Sequence, residues 1–337
     1  MQTLNYRLLT LFTLVQCLFF TQKLCAHEGW GIVVDKYGQV YFSDIPTNTI
    51  WKINHQGKLQ IAVPNQHSHA LIIGGDENIY GTHENGRIWK ITADGHFTEI
   101  LQPSNSFPLN LHCFIIDGKG NIYSMNAKSV QSGQVKLLKR TPDGRVTTVA
   151  GSIRGFKDGK GGEAQFMGID GMAWASDSSL YLTDGPYVRK VTIDGLVSTI
   201  GRKLTSESLG EDLMGLTTTS NGDLFVADYS GRRILKINKE KKIQTFLESG
   251  NIWSPTGIAV VGKELYVFEH LRMHLVLLGN IGIGPYIRIR KVAANGTVNT
   301  LKTVWGNNTY VVILGLFGII FLIIFIRRFR TKKRYKT

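Results

Sequence analysis

One phrase is written six times along this 337-residue chain, and it constrains the fold more than any other feature. Each copy has an apolar strand, a Gly- or Asp-rich turn, a strand centred on an aromatic residue, and a further strand ending in or near a basic residue. Aligned on that aromatic, the copies fall at Tyr41, Tyr80, Tyr123, Tyr181, Phe225 and Tyr266, spaced by 39, 43, 58, 44 and 41 residues. A period near forty with several short strands per unit is the signature of propeller blades. The first copy shows the pattern: Gly31-Ile-Val-Val-Asp35, a turn at Gly38, Gln39 to Asp44, Thr49 to Ile53, a turn at Gly57, and Leu59 to Val63. Short β-rich runs separated by Gly, Asn and Asp turns, with no helical period between them, read as four strands per unit.

Six complete copies predict one all-β domain over 27–305, a closed six-bladed β-propeller of four-stranded blades. The blades are expected near 30–64, 69–102, 112–150, 170–201, 214–248 and 256–304. Closure removes free sheet edges, which an open solenoid would leave exposed. Two inserts interrupt the regularity: the Gly-rich connector Ala150 to Gly168, and Leu271 to Pro285 with its apolar centre at Leu275 to Leu278. The second folds over the domain's own surface or serves as a lip facing a membrane.

The two ends carry topology signals. Arg7, an apolar run from Leu8 to Phe20 and a small residue at Ala26 predict a signal peptide over 1–26, with an uncleaved anchor as the rival reading. Thr309 to Ile326 holds no charge, and eighteen residues at 1.5 Å each reach about 27 Å, enough to cross a bilayer as a helix. Arg327, Arg328, Arg330, Lys332, Lys333, Arg334 and Lys336 follow at once, a basic cytoplasmic tail over 327–337. The expected arrangement is single-pass type I, with the propeller extracytoplasmic and the membrane as a partner. No Leu-Pro-x-Thr-Gly motif precedes the apolar run, so a cleaved sorting signal is the weaker alternative.

This topology accounts for the charge. Of the net +14, seven positive charges lie in the tail and two in the leader, which leaves five on the outer part. The high basicity is therefore no argument for nucleic acid, and none is expected as a partner. Cysteine count fits the same view. Cys17 and Cys25 lie in the leader, so the domain keeps Cys113 alone and must be held by packing rather than by an internal disulfide. Cys113 sits in an apolar strand and reads as an inert buried thiol. The words around Cys17 evoke a lipidation box, but Gln16 is too large for its small position. Asn295 and Asn307 head Asn-x-Thr triplets, acceptors for glycans in a eukaryotic secretory route.

The connector, Val149-Ala-Gly-Ser-Ile-Arg-Gly-Phe-Lys-Asp-Gly-Lys-Gly-Gly-Glu-Ala-Gln-Phe166, closes on Gly168-Ile-Asp-Gly-Met-Ala173. It resembles the connector of NHL-repeat propellers, and the whole of 29–304 is similar to six-bladed phosphotriesterase-type propellers. That group includes the gluconolactonase/senescence-marker, paraoxonase and strictosidine-synthase-like proteins. In its hydrolases the metal ligands stand just before the first strand of several blades. The resemblance carries that ring onto Trp30, His69, His112, Asp170, Met214 and Thr256, with Glu28 upstream of the first blade. It implies Glu28, His112 and Asp170 as metal ligands, for calcium, and His69 and His112 as catalytic groups. By donor chemistry His69, His112, Asp170 and Glu28 together would suit zinc or manganese instead. Met214 departs from the group's usual aspartate, a loss for any calcium site built from oxygens. Polar lining of a narrow channel explains the same residues without any metal. A second ring, Asp44, His83, Asn126, Asp184, Asp228 and Glu269, is expected to bond backbone amides in the turns that follow.

Gly-x-Ser-x-Gly, a phosphate loop, His-Glu-x-x-His and Cys-x-x-Cys are all missing. The reading is a membrane-anchored module that binds an extracytoplasmic small molecule or protein. The alternative is a metal-dependent lactonase or esterase with its site at the channel mouth.

Overall fold

The computed structural model describes residues 29–83, 86–102, 104, 107, 109–126, 133–201, 204, 213–271 and 285–305, with nothing said of the side chains of 109–112 and 285. Six sheets account for the six copies of the phrase. Blade one is β1 Ile32–Val34, β2 Val40–Asp44, β3 Thr49–Ile53 and β4 Leu59–Pro64. Blade two is β5 Leu71–Ile73, β6 Ile79–Thr82, β7 Ile88–Ile91 and β8 Phe97–Leu101. Blade three is β9 Leu109–Ile116, β10 Ile122–Asn126, β11 Gln134–Arg140 and β12 Val146–Ile153. Blade four takes a short β13 Gly159–Lys160, then β14 Ile169–Trp174, β15 Leu180–Asp184, β16 Tyr187–Val191 and β17 Leu196–Ile200. Blade five is β18 Leu213–Thr218, β19 Leu224–Asp228, β20 Arg233–Ile237 and β21 Ile243–Glu248. Blade six is β22 Trp253–Val261, β23 Glu264–Leu271, β24 Pro285–Val292 and β25 Val298–Trp305. Each anchoring aromatic lies in the second strand of its blade, as the repeat requires.

Local chemistry sets the hairpins. In the first turn of blade three, Asp117 Oδ1 accepts the amides of Lys119 and Asn121, both at 2.9 Å, while Gly120 takes a φ of 76° that a side chain would resist. Asp35 does the same for Tyr37 and Gln39 in blade one. The aromatic of the following strand then ties back: the Tyr80 hydroxyl donates to Asp76 at 2.7 Å and that of Tyr123 to Asp117 at 3.2 Å.

The core is a succession of apolar layers between neighbouring blades, not one central mass. One layer joins Val33, Tyr41 and Ile50 to Leu71, Ile79 and Trp89. Another joins Cys113, Tyr123 and Leu137 to Ile169, Leu182 and Val197. Glycines let the innermost strands approach. A methyl at Gly171 would stand 2.6 Å from Met214 O, one at Gly215 would stand 2.9 Å from Thr256 O, and one at Gly257 would collide with Trp30 O. The last approach joins blade six to blade one. Thr256 Oγ1 donates to Gly29 O at 3.0 Å, and His270 Nε2 lies 3.0 Å from the same oxygen. The ring is thus closed by packing and side-chain hydrogen bonds, with each blade built from consecutive strands.

The connector before blade four differs from a plain loop. Gly159 and Lys160 pair with Val197 and Leu196, adding a fifth strand outside β17. Arg189, fully buried, donates to Asp184 Oδ2 at 2.6 Å, Asp158 Oδ1 at 2.8 Å, Lys157 O at 2.9 Å and Gln165 O at 3.2 Å. Its guanidinium also lies 4.8 Å from the Phe156 ring centre and 5.4 Å from that of Phe166. The Phe, Asp and Phe of the connector motif therefore surround one arginine.

The chain divides into two compact units: 27–272 with 287–302, and 1–26 with 273–286 and 303–337. Of the second, only 285–286 and 303–305 are described. Among the described residues no helix is long and apolar enough to cross a membrane. The expected signal peptide, the span Thr309 to Ile326, the basic tail and the centre of the Leu271 to Pro285 insert lie outside them.

Candidate functional site

The first strands of all six blades wall a narrow central cavity of about 60 Å³. Trp30 and Ile32 come from blade one, Ala70 to Ile72 from blade two, Cys113 and Phe114 from blade three. Asp170, Gly171 and Met172 come from blade four, Gly215 and Leu216 from blade five, and Ile258 from blade six. The glycines that bring these strands together also narrow the space. Ligand pockets for organic molecules run to roughly 300–1,000 Å³, so this volume suits a few waters or a small ion.

Asp170 is the ionisable carboxylate among the described residues of that wall, half-buried and reachable from the cavity. Its charge is felt by Cys113: burial above all, and then Asp170, push that thiol well above the ordinary range. Cys113 is therefore a protonated, inert thiol. Met214, at the position where the resemblance calls for a carboxylate, is half-buried among apolar side chains. It packs both on the layer of Trp30, Phe107, Phe114 and Leu138 and on that of Phe225, Ile258 and Val267. Thr256 is fully buried, with its hydroxyl committed to Gly29 O, so it faces a ring-closing contact and not the channel.

His69 is also buried, 2% exposed, and its backbone carbonyl accepts the Trp30 amide at 2.9 Å, stitching blade two to blade one. The ring is not isolated. His69 Nε2 lies 3.1 Å from His67 Nε2, and His67 Nδ1 lies 3.1 Å from Asn48 Oδ1. The Trp30 ring centre is 5.4 Å from that of His69. His67 escaped the sequence reading, although the His67-Ser-His69 spacing puts two imidazoles on one side of an extended segment. Glu28 lies outside the described residues, and of His112 only its place in β9 is described. The structure therefore brings Asp170 and Trp30 to one cavity and pairs His69 with His67, with the Trp30 ring beside His69.

Five members of the second ring, Asp44, Asn126, Asp184, Asp228 and Glu269, make structural contacts. Asp184 accepts the amides of Met167 at 2.6 Å and Gly168 at 3.0 Å, which precede blade four's first strand rather than follow the second. Asp228 accepts Gly231 N at 2.8 Å and Arg233 Nε at 2.8 Å. Glu269 is held by Arg288 at 2.6 Å and by Arg290. Asp44 takes the Trp51 indole at 3.0 Å, and Asn126 takes the Lys136 amide at 2.8 Å.

No family profile and no curated protein matches this chain. Solved structures do. A gluconolactonase from Xanthomonas campestris superposes with a TM-score of 0.54 over 72% of this chain and 83% of its own, at 12% identity. A structure described as a putative gluconolactonase gives 0.55 over 73% and 87%, at 15% identity. Virginiamycin B lyase from Staphylococcus aureus gives 0.50 over 83% and 86%, at 18% identity. At these identities the likeness establishes the fold: a six-bladed propeller of the kind gluconolactonase-like proteins use.

Proposed function

We propose that this chain is a membrane-anchored, extracytoplasmic propeller that binds a small molecule or a protein partner. The observation behind this reading is the wall of the central cavity. At about 60 Å³ it is too small for an organic substrate, and Met214 fills the place of a ligand with apolar packing, so binding falls to the propeller's outer faces rather than to a catalytic channel. Calcium takes 6–8 oxygen ligands. The anchoring rests on the uncharged run Thr309 to Ile326 and the seven basic residues after it.

The second reading, a metal-dependent lactonase or esterase, is favoured by the fold shared with gluconolactonases and by Asp170 on the wall. It requires Glu28 and His112 to complete the ion's shell. The two readings separate on the full-length protein in detergent. The binding-module reading expects no metal-dependent hydrolysis of sugar lactones or aryl esters, and Asp170→Ala without effect on metal content. Hydrolysis that a chelator abolishes and Asp170→Ala removes would establish the second reading instead.

A further inference from the structure

We infer that His67 and His69 form a two-imidazole site for a borderline divalent cation, Zn²⁺ or Cu²⁺, at the junction of blades one and two. The site uses nitrogen donors and is independent of the Asp170 reading.

The two rings already meet through their Nε2 atoms, joined by a hydrogen bond that an ion would replace. Zinc–nitrogen bonds run to about 2.0–2.1 Å. Two such bonds to nitrogens 3.1 Å apart close an angle of roughly 100°, between square-planar and tetrahedral values. The ring planes stand at 64° to each other with centres 5.0 Å apart, so neither ring blocks the other's approach. The far nitrogen of His67 is held by Asn48 Oδ1 at 3.1 Å. A carbonyl oxygen there is the usual second partner of a metal-bound histidine, and it fixes Nδ1–H on His67. His69 Nε2–H therefore donates to His67 Nε2, and that proton moves to His69 Nδ1 when the ion enters.

The backbone that carries the pair is fixed at several points. Gln66 N donates to Asn48 O at 2.7 Å, Trp30 N to His69 O at 2.9 Å, and Thr82 N to Ser68 Oγ at 2.9 Å. Ser68 Oγ in turn donates to Ala70 O at 2.8 Å. An ion here does not have to order a loop, which removes one cost of binding. His67 is only half-buried, so the ion reaches the pair from solvent and keeps positions for water or an incoming ligand. Imidazole donors favour copper and zinc over calcium and magnesium.

The test is titration of the full-length protein in detergent with Zn²⁺ and, separately, Cu²⁺. It is followed by calorimetry and, for copper, by paramagnetic resonance. One ion per chain is expected, with copper hyperfine coupling to two imidazole nitrogens, undisturbed by excess Ca²⁺. His67→Gln should weaken binding at least a hundredfold, while Asp170→Asn should leave it unchanged. Asn48→Gly keeps the left-handed backbone at that position (φ 49°) but removes the supporting oxygen, and should weaken binding roughly tenfold. If His67→Gln melts early, the Asn48→Gly result decides. No ion in the wild type, an ion that survives His67→Gln in a folded protein, or one lost with Asp170→Asn instead would overturn the assignment.

Discussion

Blade two and blade four fill the same slot with opposite chemistry. In both, the third strand places a large side chain across from the residue that follows the anchoring aromatic: Trp89 opposite Gly81, and Arg189 opposite Leu182. Both side chains are fully buried. Trp89 is satisfied within its own blade, its indole N–H donating to Thr82 O at 3.1 Å and its ring lying over Gly81. Arg189 cannot be satisfied that way. A buried guanidinium needs several acceptors and an opposite charge, and blade four supplies only Asp184. The connector brings the rest: Asp158, the carbonyls of Lys157 and Gln165, and two aromatic rings. An apolar filling makes a blade self-contained, whereas a charged filling ties it to a segment outside the repeat.

The sharpest way to break this contrast is Arg189→Met. It leaves Asp184 buried without its cation, and a loss of about 3–5 kcal/mol is expected in denaturant unfolding followed by circular dichroism. Adding Asp184→Asn should return part of that loss, since removing both charges strands neither. An unchanged midpoint in Arg189→Met would show that the connector does not depend on the arginine.

Gly81→Ala tests the other blade. A methyl there would collide with the Trp89 ring, and the indole is fully buried among its neighbours. The expected cost is about 1–3 kcal/mol, smaller than for the charge because a ring can shift aside, whereas a buried carboxylate without its cation must stay desolvated or take up a proton. Trp89→Leu in the same chain should relieve most of it.

The smallest expected effect is in pH. Asp158 is held below the ordinary aspartate value of 3.8: burial works upward, but the amide and hydroxyl of Thr199 and the Arg189 guanidinium outweigh it. Its contribution is therefore complete above 3.8 and fades as pH falls through the lowered value. Burial dominates at Asp184 and raises its carboxyl despite Gly168, Arg189 and Met167. That contribution has the reverse sign, present below 3.8 and fading as pH rises through the raised value. Asp158→Asn should flatten the acid limb of the melting-temperature profile, and a steeper limb would contradict the assignment. Blade two, whose filling is uncharged at this slot, should contribute nothing to either effect.

The propeller was legible in the sequence because its signals are local and repeated. The turn aspartates, the glycines at positive φ and the six aromatics each act within a few residues, and each lies where the period put it. The ring of inner-strand residues was legible as positions but not as roles. Trp30 and Asp170 do line the cavity, yet Thr256 spends its hydroxyl on Gly29, a residue 227 positions away. Met214 reads as a lost ligand in the sequence; in the fold it is packing shared by two apolar layers.

What the sequence determined alone was the number of blades and the four strands that each repeat contributes, since these follow from short-range pattern. Only the tertiary structure decided the width of the channel, the enclosure of Arg189 by its connector and the meeting of His67 with His69. A channel's width depends on how closely separate strands approach, and one glycine's clearance is set by a carbonyl of the next blade. A hydrogen bond between two rings depends on ångström-scale placement that residue types and spacing do not encode.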